Sequence, residues 1–182
     1  MNLLMIDDDA GDVRLVTLVL KEACPDCALE AGGTLAEGLE RLAAGGVDLL
    51  LLDLHLPDSQ GLDTVDAVAE AHAETPIVVL TGLDSEDAGV EALRRGASDY
   101  LAKDKLSADL LGRTIRYSME RKRLEQRLVF LAHHDPLTGT WNRRTLEEAV
   151  ERASARARRG QVSSLLLFDI DRFKQINDTL GH

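Results

Sequence analysis

The stretch D-L-L-L-L-D-L-H-L-P-D, from Asp48 to Asp58, decides the fold that we expect for this chain of 182 residues. Four leucines run without a break into Asp53, and Pro57 follows. A short apolar run that ends in polar residues and a proline is typical of a strand buried on both faces of a sheet. Asp53 then lies at the carboxyl edge, where open α/β sheets bind ligands. The segment alone leaves two interpretations, a residue that caps a turn or a chemically active carboxylate.

Short apolar runs alternate with helical patterns five times along the first part of the chain. The runs predict strands over residues 2–6, 27–31, 49–53, 77–81 and 98–102. Thr34 and Glu37 have the spacing of a capping box, which predicts the start of the second helix. Asp84 or Ser85 is expected to cap the fourth. This alternation predicts a mainly parallel sheet with helices on both faces.

Polar residues follow four of the predicted strands: Asp7 and Asp8, Asp53, Thr81 and Lys103. Because parallel strands end at one edge of a sheet, we expect these side chains to lie together. Three adjacent carboxylates raise one another's pKa, and a hard cation such as Mg²⁺ removes that repulsion. A hydroxyl and an ammonium beside them suit a phosphoryl group. The set predicts phosphoryl transfer onto, or binding beside, the central aspartate; the alternative is that each is an ordinary loop residue.

The net charge of −11 is unevenly distributed. The chain up to position 107 has 22 acidic and 7 basic residues, whereas the remainder has 10 and 14. The change of sign predicts a boundary near this position. The acidic part and the aromatic content of 3% argue against nucleic-acid binding. No apolar run approaches the length of a membrane span and no basic leader precedes the first strand, so we expect a cytoplasmic protein.

Two cysteines, Cys24 and Cys27, occur in the sequence C-P-D-C. This spacing is compatible with a redox pair or with half of a metal site. The alternative is two unpaired small residues in a reducing cytosol. Because there is no second C-x-x-C and no nearby histidine, we favour the unpaired interpretation.

The first 107 residues resemble a response-regulator receiver domain. The resemblance is carried by Asp7-Asp8, by Asp53 in D-L-H-L-P-D-S-Q-G, by Thr81-Gly82 and by G-A-S-D-Y-L-A-K ending at Lys103. It implies a flavodoxin-like fold with strand order 2-1-3-4-5. It also implies that a partner histidine kinase phosphorylates Asp53.

The resemblance further implies a role for each residue of this edge. Mg²⁺ would be bound directly by Asp8, Asp53 and the backbone carbonyl of His55, and through water by Asp7. Thr81 would donate to the phosphoryl oxygen, Lys103 would pair with it, and Tyr100 would be the switch aromatic. One departure is that Asp104 follows the lysine where the family often has a proline after a cis bond. Such a bond before a non-proline residue costs about 2.5–4 kcal/mol, so the geometry of this peptide stays open.

A long helix is predicted from Ala108 to about position 132, within a signalling segment over residues 108–134. Leu110, Tyr117, Leu124 and Leu131 repeat every seven residues, which favours a parallel coiled coil. We therefore expect the helix to dimerise the chain, particularly on phosphorylation, and to couple the receiver to an output. Its basic residues are interpreted as a solvated face rather than as a site for an acidic partner.

Residues 135–182 resemble the start of a GGDEF diguanylate cyclase domain, in D-P-L-T-G-T-W-N-R-R and in F-D-I-D-R-F-K-Q-I-N-D-T-L-G-H. The resemblance implies that Asp169 and the Ile170 carbonyl bind a metal, that Asn177 binds guanine and that Lys174 lies near the phosphates of GTP. The apolar run 165–168 independently predicts a strand that ends in a carboxylate. His133-His134 is interpreted as a solvated helix end, since no ligand partners lie at metal spacing.

Three functions remain in competition. The first is a receiver that controls a diguanylate cyclase, in which the second α/β domain is incomplete; without a G-G-(D/E)-E-F turn this form is expected not to make cyclic di-GMP. The second is a non-enzymatic receiver that acts through protein contacts. The third is an aspartyl-nucleophile phosphatase, suggested by D-I-D at Asp169 to Asp171, but Phe173 occupies the place where that family has threonine or valine.

Overall fold

A computed structural model describes residues 1–82, 86–162, 164–169, 171–172 and 178, with the backbone alone at 86 and 87. The predicted cap at Asp84 or Ser85 lies outside these residues. The chain forms two compact units, Met1–Val129 and Phe130–His182. Each is described by itself.

The first unit is an α/β domain. Its strands are β1 (Asn2–Ile6), β2 (Ala28–Gly32), β3 (Leu49–Asp53), β4 (His55–Leu56), β5 (Ser59–Gln60), β6 (Ile77–Thr81) and β7 (Asp99–Ala102). Its helices are α1 (Ala10–Ala23), α2 (Leu35–Ala43), α3 (Asp63–Ala71), α4 (Glu86–Arg94) and most of α5 (Ala108–His133).

Five of these strands form one parallel sheet in the order β2-β1-β3-β6-β7. The remaining two, β4 and β5, form a separate antiparallel hairpin directly after β3. With the hairpin set aside, the strand order is the flavodoxin-like order 2-1-3-4-5, and that prediction is confirmed.

The four leucines of β3 divide the apolar core into two halves. Leu50 and Leu52 pack with α2, α3 and α4 on one face of the sheet, and Leu49 and Leu51 pack with α1 and α5 on the other. Each has a relative exposure of 0%. Burial of one leucine stabilises the fold by about 1.5–3 kcal/mol, so the run that predicted a doubly covered strand also contributes substantially to stability.

Helix α2 begins at the predicted capping box and lies close to the sheet. The Thr34 hydroxyl accepts a hydrogen bond from Glu37 N at 3.2 Å, and Glu37 Oε2 accepts one from Gly33 N at 2.9 Å. Further along the helix, a Cβ at Gly38 would overlap the side chain of Ile6. The absence of a side chain there lets α2 approach β1.

Helix α5 contributes to the receiver core before it extends further. Leu111 and Ile115 are buried in the half of the core that α1 covers, and Gly112 lies against Ala23 of α1. Leu124 and Leu128, in the later turns, are exposed by 56% and 68%. The first unit includes α5 as far as Val129, although these later turns are exposed.

Cys24 and Cys27 are joined by a disulfide, which corrects the prediction that they are unpaired. Cys24 follows the last residue of α1, and the chain returns toward β2 within three residues. The reverse turn brings the two Cα atoms to 5.4 Å, which is within the range of a disulfide. The sequence did not show this return because a C-x-x-C spacing does not fix the turn.

The described part of the second unit contains a turn followed by α6 (Arg143–Ala157). Asp135 accepts hydrogen bonds from Leu137 N and Thr138 N, and Asn142 caps the helix by accepting from Thr145 N at 3.0 Å. The predicted strand at 165–168 is wrong: these residues have no regular structure and are 73–95% exposed. A strand needs a neighbouring strand to pair with its backbone N–H and C=O groups, and the described residues of this unit form no such neighbour.

Among the residues that the structure describes, no helix is both long enough and apolar enough to cross a membrane.

Candidate functional site

The predicted strand-end residues meet at the carboxyl edge of the sheet. Asp7 follows β1, Asp53 ends β3, Thr81 ends β6 and Lys103 follows β7. One carboxylate oxygen from each of Asp7, Asp8 and Asp53 lies within 4.8 Å of the other two. Asp7 and Asp53 are buried, whereas Asp8 is exposed. The structure thus brings together groups that are far apart in sequence.

The ammonium of Lys103 joins this acidic group. Its Nζ atom lies 2.8 Å from Asp7 Oδ2 and 3.3 Å from Asp53 Oδ2. A third carboxylate, Asp12 Oδ2 in the first turn of α1, lies at 2.6 Å. Lys103 therefore links the ends of two strands and the start of a helix.

The pKa values show how burial and charge compete at this edge. Burial raises the pKa of Asp7 above its usual value, and the hydrogen bonds from Lys103 and from Asp9 N only partly oppose that rise. For Lys103, burial lowers the pKa, but the hydrogen bonds to Asp12 and Asp7 and the charge of Asp53 outweigh it, so the net shift is upward. The carboxylates therefore favour the charged form of Lys103, whereas burial disfavours the ionised form of Asp7.

This donor set fits a divalent cation. Three carboxylates with converging oxygens match the hard oxygen ligands of Mg²⁺, and one exposed member leaves room for the waters that this ion retains. Burial is the main cause of the raised pKa of Asp7, and the charge of Asp53 adds to it, so a bound cation would favour the ionised form of this carboxylate. Asp7, Asp8 and Asp53 would hold the ion.

The β4–β5 hairpin fixes the backbone after Asp53. The Asp53 Oδ1 atom accepts a hydrogen bond from Leu54 N at 2.8 Å, and Gly61 N donates to Leu54 O at 2.6 Å. His55 lies in the first strand of this hairpin, two residues from the aspartate. That its carbonyl binds a metal stays a prediction.

Thr81 and Tyr100 occupy the remaining part of the site. Thr81 is buried, and its hydroxyl lies 3.5 Å from Leu101 O, to which it donates. Tyr100 is half-buried, and its ring lies against Gly89 of α4. Their roles as the hydrogen-bond donor to the phosphoryl oxygen and as the switch aromatic stay predictions.

The peptide between Lys103 and Asp104 is trans, because no described peptide bond is cis. The chain continues directly into a short 3₁₀ turn over Lys103–Lys105. The aspartate that replaces the family's proline therefore does not prevent the lysine from reaching the carboxylates.

Two acidic residues of the site region were missed by the sequence analysis. Asp12 contacts Lys103, and Asp58 accepts hydrogen bonds from Leu35 N and Ala36 N at 2.8 and 2.9 Å, which ties the hairpin to the start of α2. These two bonds lower the pKa of Asp58. The available signal for Asp12 was its place in the first helical turn after two strand-end carboxylates.

The residues predicted to form the cyclase site are only partly described. Asp169 is exposed in a segment without regular structure. Ile170, Lys174 and Asn177 lie outside the described residues, so their roles stay predictions. His133 ends α5, and the ring of His134 stacks on Phe130 with centroids 4.6 Å apart.

A cavity of about 830 Å³ lies away from these carboxylates. Met1, Val47 and Pro76, which precede strands, line it together with Ile115 and neighbouring residues of α5. It is therefore at the amino edge of the sheet, and the acidic group at the carboxyl edge is the better candidate site.

An acidic group with one lysine, at the carboxyl edge of a flavodoxin-like sheet, defines the class of receiver domains. The family model "Response regulator receiver domain" matches residues 3–115, and the chain belongs to this family. The model "Diguanylate cyclase, GGDEF domain" matches residues 132–182. A receiver followed by part of a GGDEF domain is thus confirmed.

Curated relatives match mainly through the receiver. LuxO, a regulatory protein of Vibrio cholerae serotype O1, is 36% identical over 117 residues, which are 64% of this chain and 25% of LuxO. YkoG, described as an uncharacterized transcriptional regulatory protein of Bacillus subtilis, is 32% identical over 136 residues, 74% of this chain and 58% of YkoG. The chain therefore spans a quarter to somewhat over half of these relatives, and they support a two-component response regulator.

Solved receivers have the same fold. A receiver domain protein from Clostridium thermocellum aligns with a TM-score of 0.60 at 23% identity, over 68% of this chain and 97% of its own. The receiver domain of NtrX from Brucella abortus aligns with a TM-score of 0.59 at 27% identity, over 65% of this chain and 98% of its own.

Proposed function

We propose that Asp53 accepts a phosphoryl group from a histidine kinase or phosphotransfer protein in the cytoplasm. The observation that carries this proposal is the buried carboxylate of Asp53 with Lys103 Nζ at 3.3 Å and two further carboxylates beside it. An Asp53 oxygen would attack the phosphorus, the P–N bond of the phosphohistidine would break, and its electron pair would remain on the imidazole. The aspartate becomes an acyl phosphate.

The neighbouring groups have complementary tasks in this proposal. Mg²⁺, held by Asp7, Asp8, Asp53 and the His55 carbonyl, would supply positive charge for the phosphoryl oxygens. Lys103 adds a fixed ammonium, and Thr81 offers a hydroxyl donor. The product carries a charge of about −1.5 to −2, which is enough to bias a two-state element. Tyr100, which lies in β7 with its ring against α4, is the proposed switch.

Intact mass spectrometry after incubation with acetyl phosphate and Mg²⁺ tests the proposal. We expect one phosphoryl adduct on the wild-type chain and none on Asp53→Asn. Asp26→Asn, an equivalent change at an exposed loop position, should still take up the group. If a folded wild-type chain remains unmodified, or if Asp53→Asn is modified equally, the proposal is wrong.

We further propose that phosphorylation promotes a homodimer through the exposed part of α5. Tyr117, Leu124 and Leu131 recur at heptad spacing and are exposed by 65%, 56% and 43%. Such a stripe suits a second copy of the same helix. Light scattering should show a dimer of the phosphorylated chain, and Leu124→Lys should abolish it. A phosphorylated wild-type chain that stays monomeric would count against dimerisation.

The proposed output is diguanylate cyclase activity, GTP to cyclic di-GMP, in a protein that carries this chain with the rest of a GGDEF domain. The match of residues 132–182 to that family supports it. Asp169 and Ile170 would bind the metal, and Lys174 and Asn177 the GTP. Chromatography of a GTP reaction should show cyclic di-GMP with the longer protein and none with its Asp169→Asn variant. Equal product from both would refute these roles.

The alternative is a receiver without an enzymatic output. It predicts that the longer protein binds a partner on phosphorylation but makes no cyclic di-GMP. The same chromatographic measurement separates the two functions.

A further inference from the structure

The ammonium of Lys103 is shared between the predicted phosphoacceptor and a residue of α1. Asp12 Oδ2 is the nearest carboxylate oxygen, at 2.6 Å, while Asp7 Oδ2 lies at 2.8 Å and Asp53 Oδ2 at 3.3 Å. The first two contacts are hydrogen bonds. Lys103 is thus shared among three carboxylates, and its contact with the predicted phosphoacceptor is the longest of the three.

The first turn of α1 is fixed in the position that makes this contact possible. Asp9 N donates to Asp7 Oδ1 at 2.9 Å, and Asp9 Oδ1 accepts from Gly11 N at 2.7 Å and from Asp12 N at 3.1 Å. A continuous chain of hydrogen bonds therefore runs from the end of β1 to the lysine. The side chain of Asp12 is 32% exposed and does not belong to the three carboxylates that converge for a cation.

We propose that Asp12 is a positioning residue that shares the ammonium of Lys103 with Asp7 and Asp53 and so weakens its hold on these two carboxylates. This inference rests on the proposed phosphoacceptor function. An ammonium has three hydrogens, and its hydrogen bonds to Asp12 and Asp7 leave one hydrogen for Asp53 or for an incoming group. With Asp12 in place, the oxygens of Asp7 and Asp53 are left more open to Mg²⁺, and the lysine is held back from the incoming phosphoryl group.

Two effects of opposite sense follow for Asp12→Asn. Without the carboxylate, Lys103 is held by Asp7 and Asp53 alone and competes more strongly with the cation, so Mg²⁺ binding weakens. At saturating Mg²⁺ the released lysine reaches the phosphoryl group more readily, so phosphorylation becomes faster. A residue that only stabilised the fold would, when removed, impair both properties.

The test begins with calorimetric titration of Mg²⁺ into the unphosphorylated chain. We expect the Kd for Asp12→Asn to rise by about 3- to 10-fold, a change of up to about 1.4 kcal/mol. The rate of phosphorylation by acetyl phosphate, measured by intact mass at saturating Mg²⁺, should rise about 3-fold or more, which is about half of that free energy. Asp12→Glu should restore both values toward the wild type, and Asp26→Asn should change neither.

A double-mutant cycle shows whether Asp12 acts through the lysine. In a Lys103→Ala background with an intact circular dichroism spectrum, Asp12→Asn should no longer accelerate phosphorylation. The inference is overturned if Asp12→Asn matches the wild type within twofold in both measurements, if it slows phosphorylation, or if it accelerates phosphorylation equally without Lys103. If the wild-type chain takes up no phosphoryl group, the proposed function fails, and the Mg²⁺ titration still tests the placement of Lys103.

Discussion

The aromatic ring of Tyr100 lies against the backbone of Gly89, so closely that a methyl group at position 89 would overlap ring atoms Cγ, Cδ2 and Cε2. Gly89 belongs to α4 and Tyr100 to β7, next to the end of the sheet that carries the acidic group. The half-buried position of the ring therefore depends on a missing side chain in the neighbouring helix.

Gly89→Ala should displace the Tyr100 ring toward solvent. Nitration by tetranitromethane, followed by peptide mass analysis, measures this exposure, and Tyr117 serves as an internal reference because it is already 65% exposed. We expect the ratio of nitration at Tyr100 to that at Tyr117 to rise at least severalfold. An unchanged ratio would show that the helix moves instead of the ring.

The effect of Gly89→Ala on the free energy of unfolding should depend on whether the Tyr100 ring is present. Alanine is favoured over glycine inside a helix by about 0.5–1 kcal/mol, whereas overpacking costs about 1–3 kcal/mol. Gly89→Ala should therefore lower the free energy of unfolding in the wild type and raise it in a Tyr100→Ala background. Urea unfolding of the four chains measures both, and the same sign in both backgrounds would contradict the overlap.

Asp7→Asn should stabilise the metal-free chain at neutral pH. Burial raises the pKa of Asp7 in the folded state, so its stabilising contribution is present below its unfolded pKa and is lost as the pH rises through its folded pKa. The advantage of Asp7→Asn should therefore be largest near pH 7 and shrink on acidification. Urea unfolding in a chelating buffer at several pH values measures it, with Asp26→Asn as the control. A variant less stable than the wild type at pH 7 would contradict this assignment.

Mg²⁺ should reverse that order of stability. A ligand that binds only the native state stabilises it by about 2.7 kcal/mol at a concentration of one hundred times its Kd. The ion should raise the Tm of the wild type clearly and that of Asp7→Asn much less. Equal rises in Tm for the wild type and Asp7→Asn would show that Asp7 does not bind the ion.

Two serines of the α5 region should respond oppositely to alanine. Ser107 Oγ accepts a hydrogen bond from Leu110 N at 3.3 Å, so Ser107→Ala should cost about 0.5–2 kcal/mol. Ser118 Oγ is buried without a hydrogen-bond partner among the described residues. Because an unsatisfied buried hydroxyl costs about 1–3 kcal/mol, Ser118→Ala should be neutral or stabilising. Thermal unfolding measures both changes in stability. A loss of stability in Ser118→Ala as large as that in Ser107→Ala would show that the Ser118 hydroxyl has a hydrogen-bond partner.

Leu51→Ala should destabilise the first unit by about 2–5 kcal/mol, because it leaves a cavity between β3 and the helices α1 and α5. Leu18→Ala, on the exposed face of α1 with 59% exposure, is the matched control and should stay within about 0.5 kcal/mol of the wild type. Similar losses at both positions, measured by urea unfolding, would argue against this packing.

The sequence allowed the sheet to be predicted because β1, β3 and β6 are apolar runs and four of the five strands end at polar residues. The leucines of β3 required burial on two sides, and the capping box marked the start of α2. Asp7, Asp53, Thr81 and Lys103 were predicted to meet because parallel strands end at one edge, a property of topology rather than of side-chain geometry.

What the sequence could not supply depends on contacts between distant elements. The Asp12–Lys103 ion pair joins α1 to the end of β7, and the bonds from Asp58 to the start of α2 cross between two loops. The Cys24–Cys27 disulfide depends on a turn that its spacing does not specify. The predicted strand at 165–168 was wrong because an apolar run forms a strand only beside partner strands, and the described residues of this unit contain no partner strand.

Gly38 and Ile6 have a consequence for the design of variants. Any side chain at position 38 would occupy the volume that Ile6 already fills between α2 and β1. A library that varies position 38 alone should therefore return almost only glycine, whereas one that varies both positions should recover pairs such as alanine at 38 with a smaller residue at 6. A side chain at position 38 thus becomes possible only after the residue at position 6 has become smaller, so substitutions at this contact between the second helix and the first strand depend on one another.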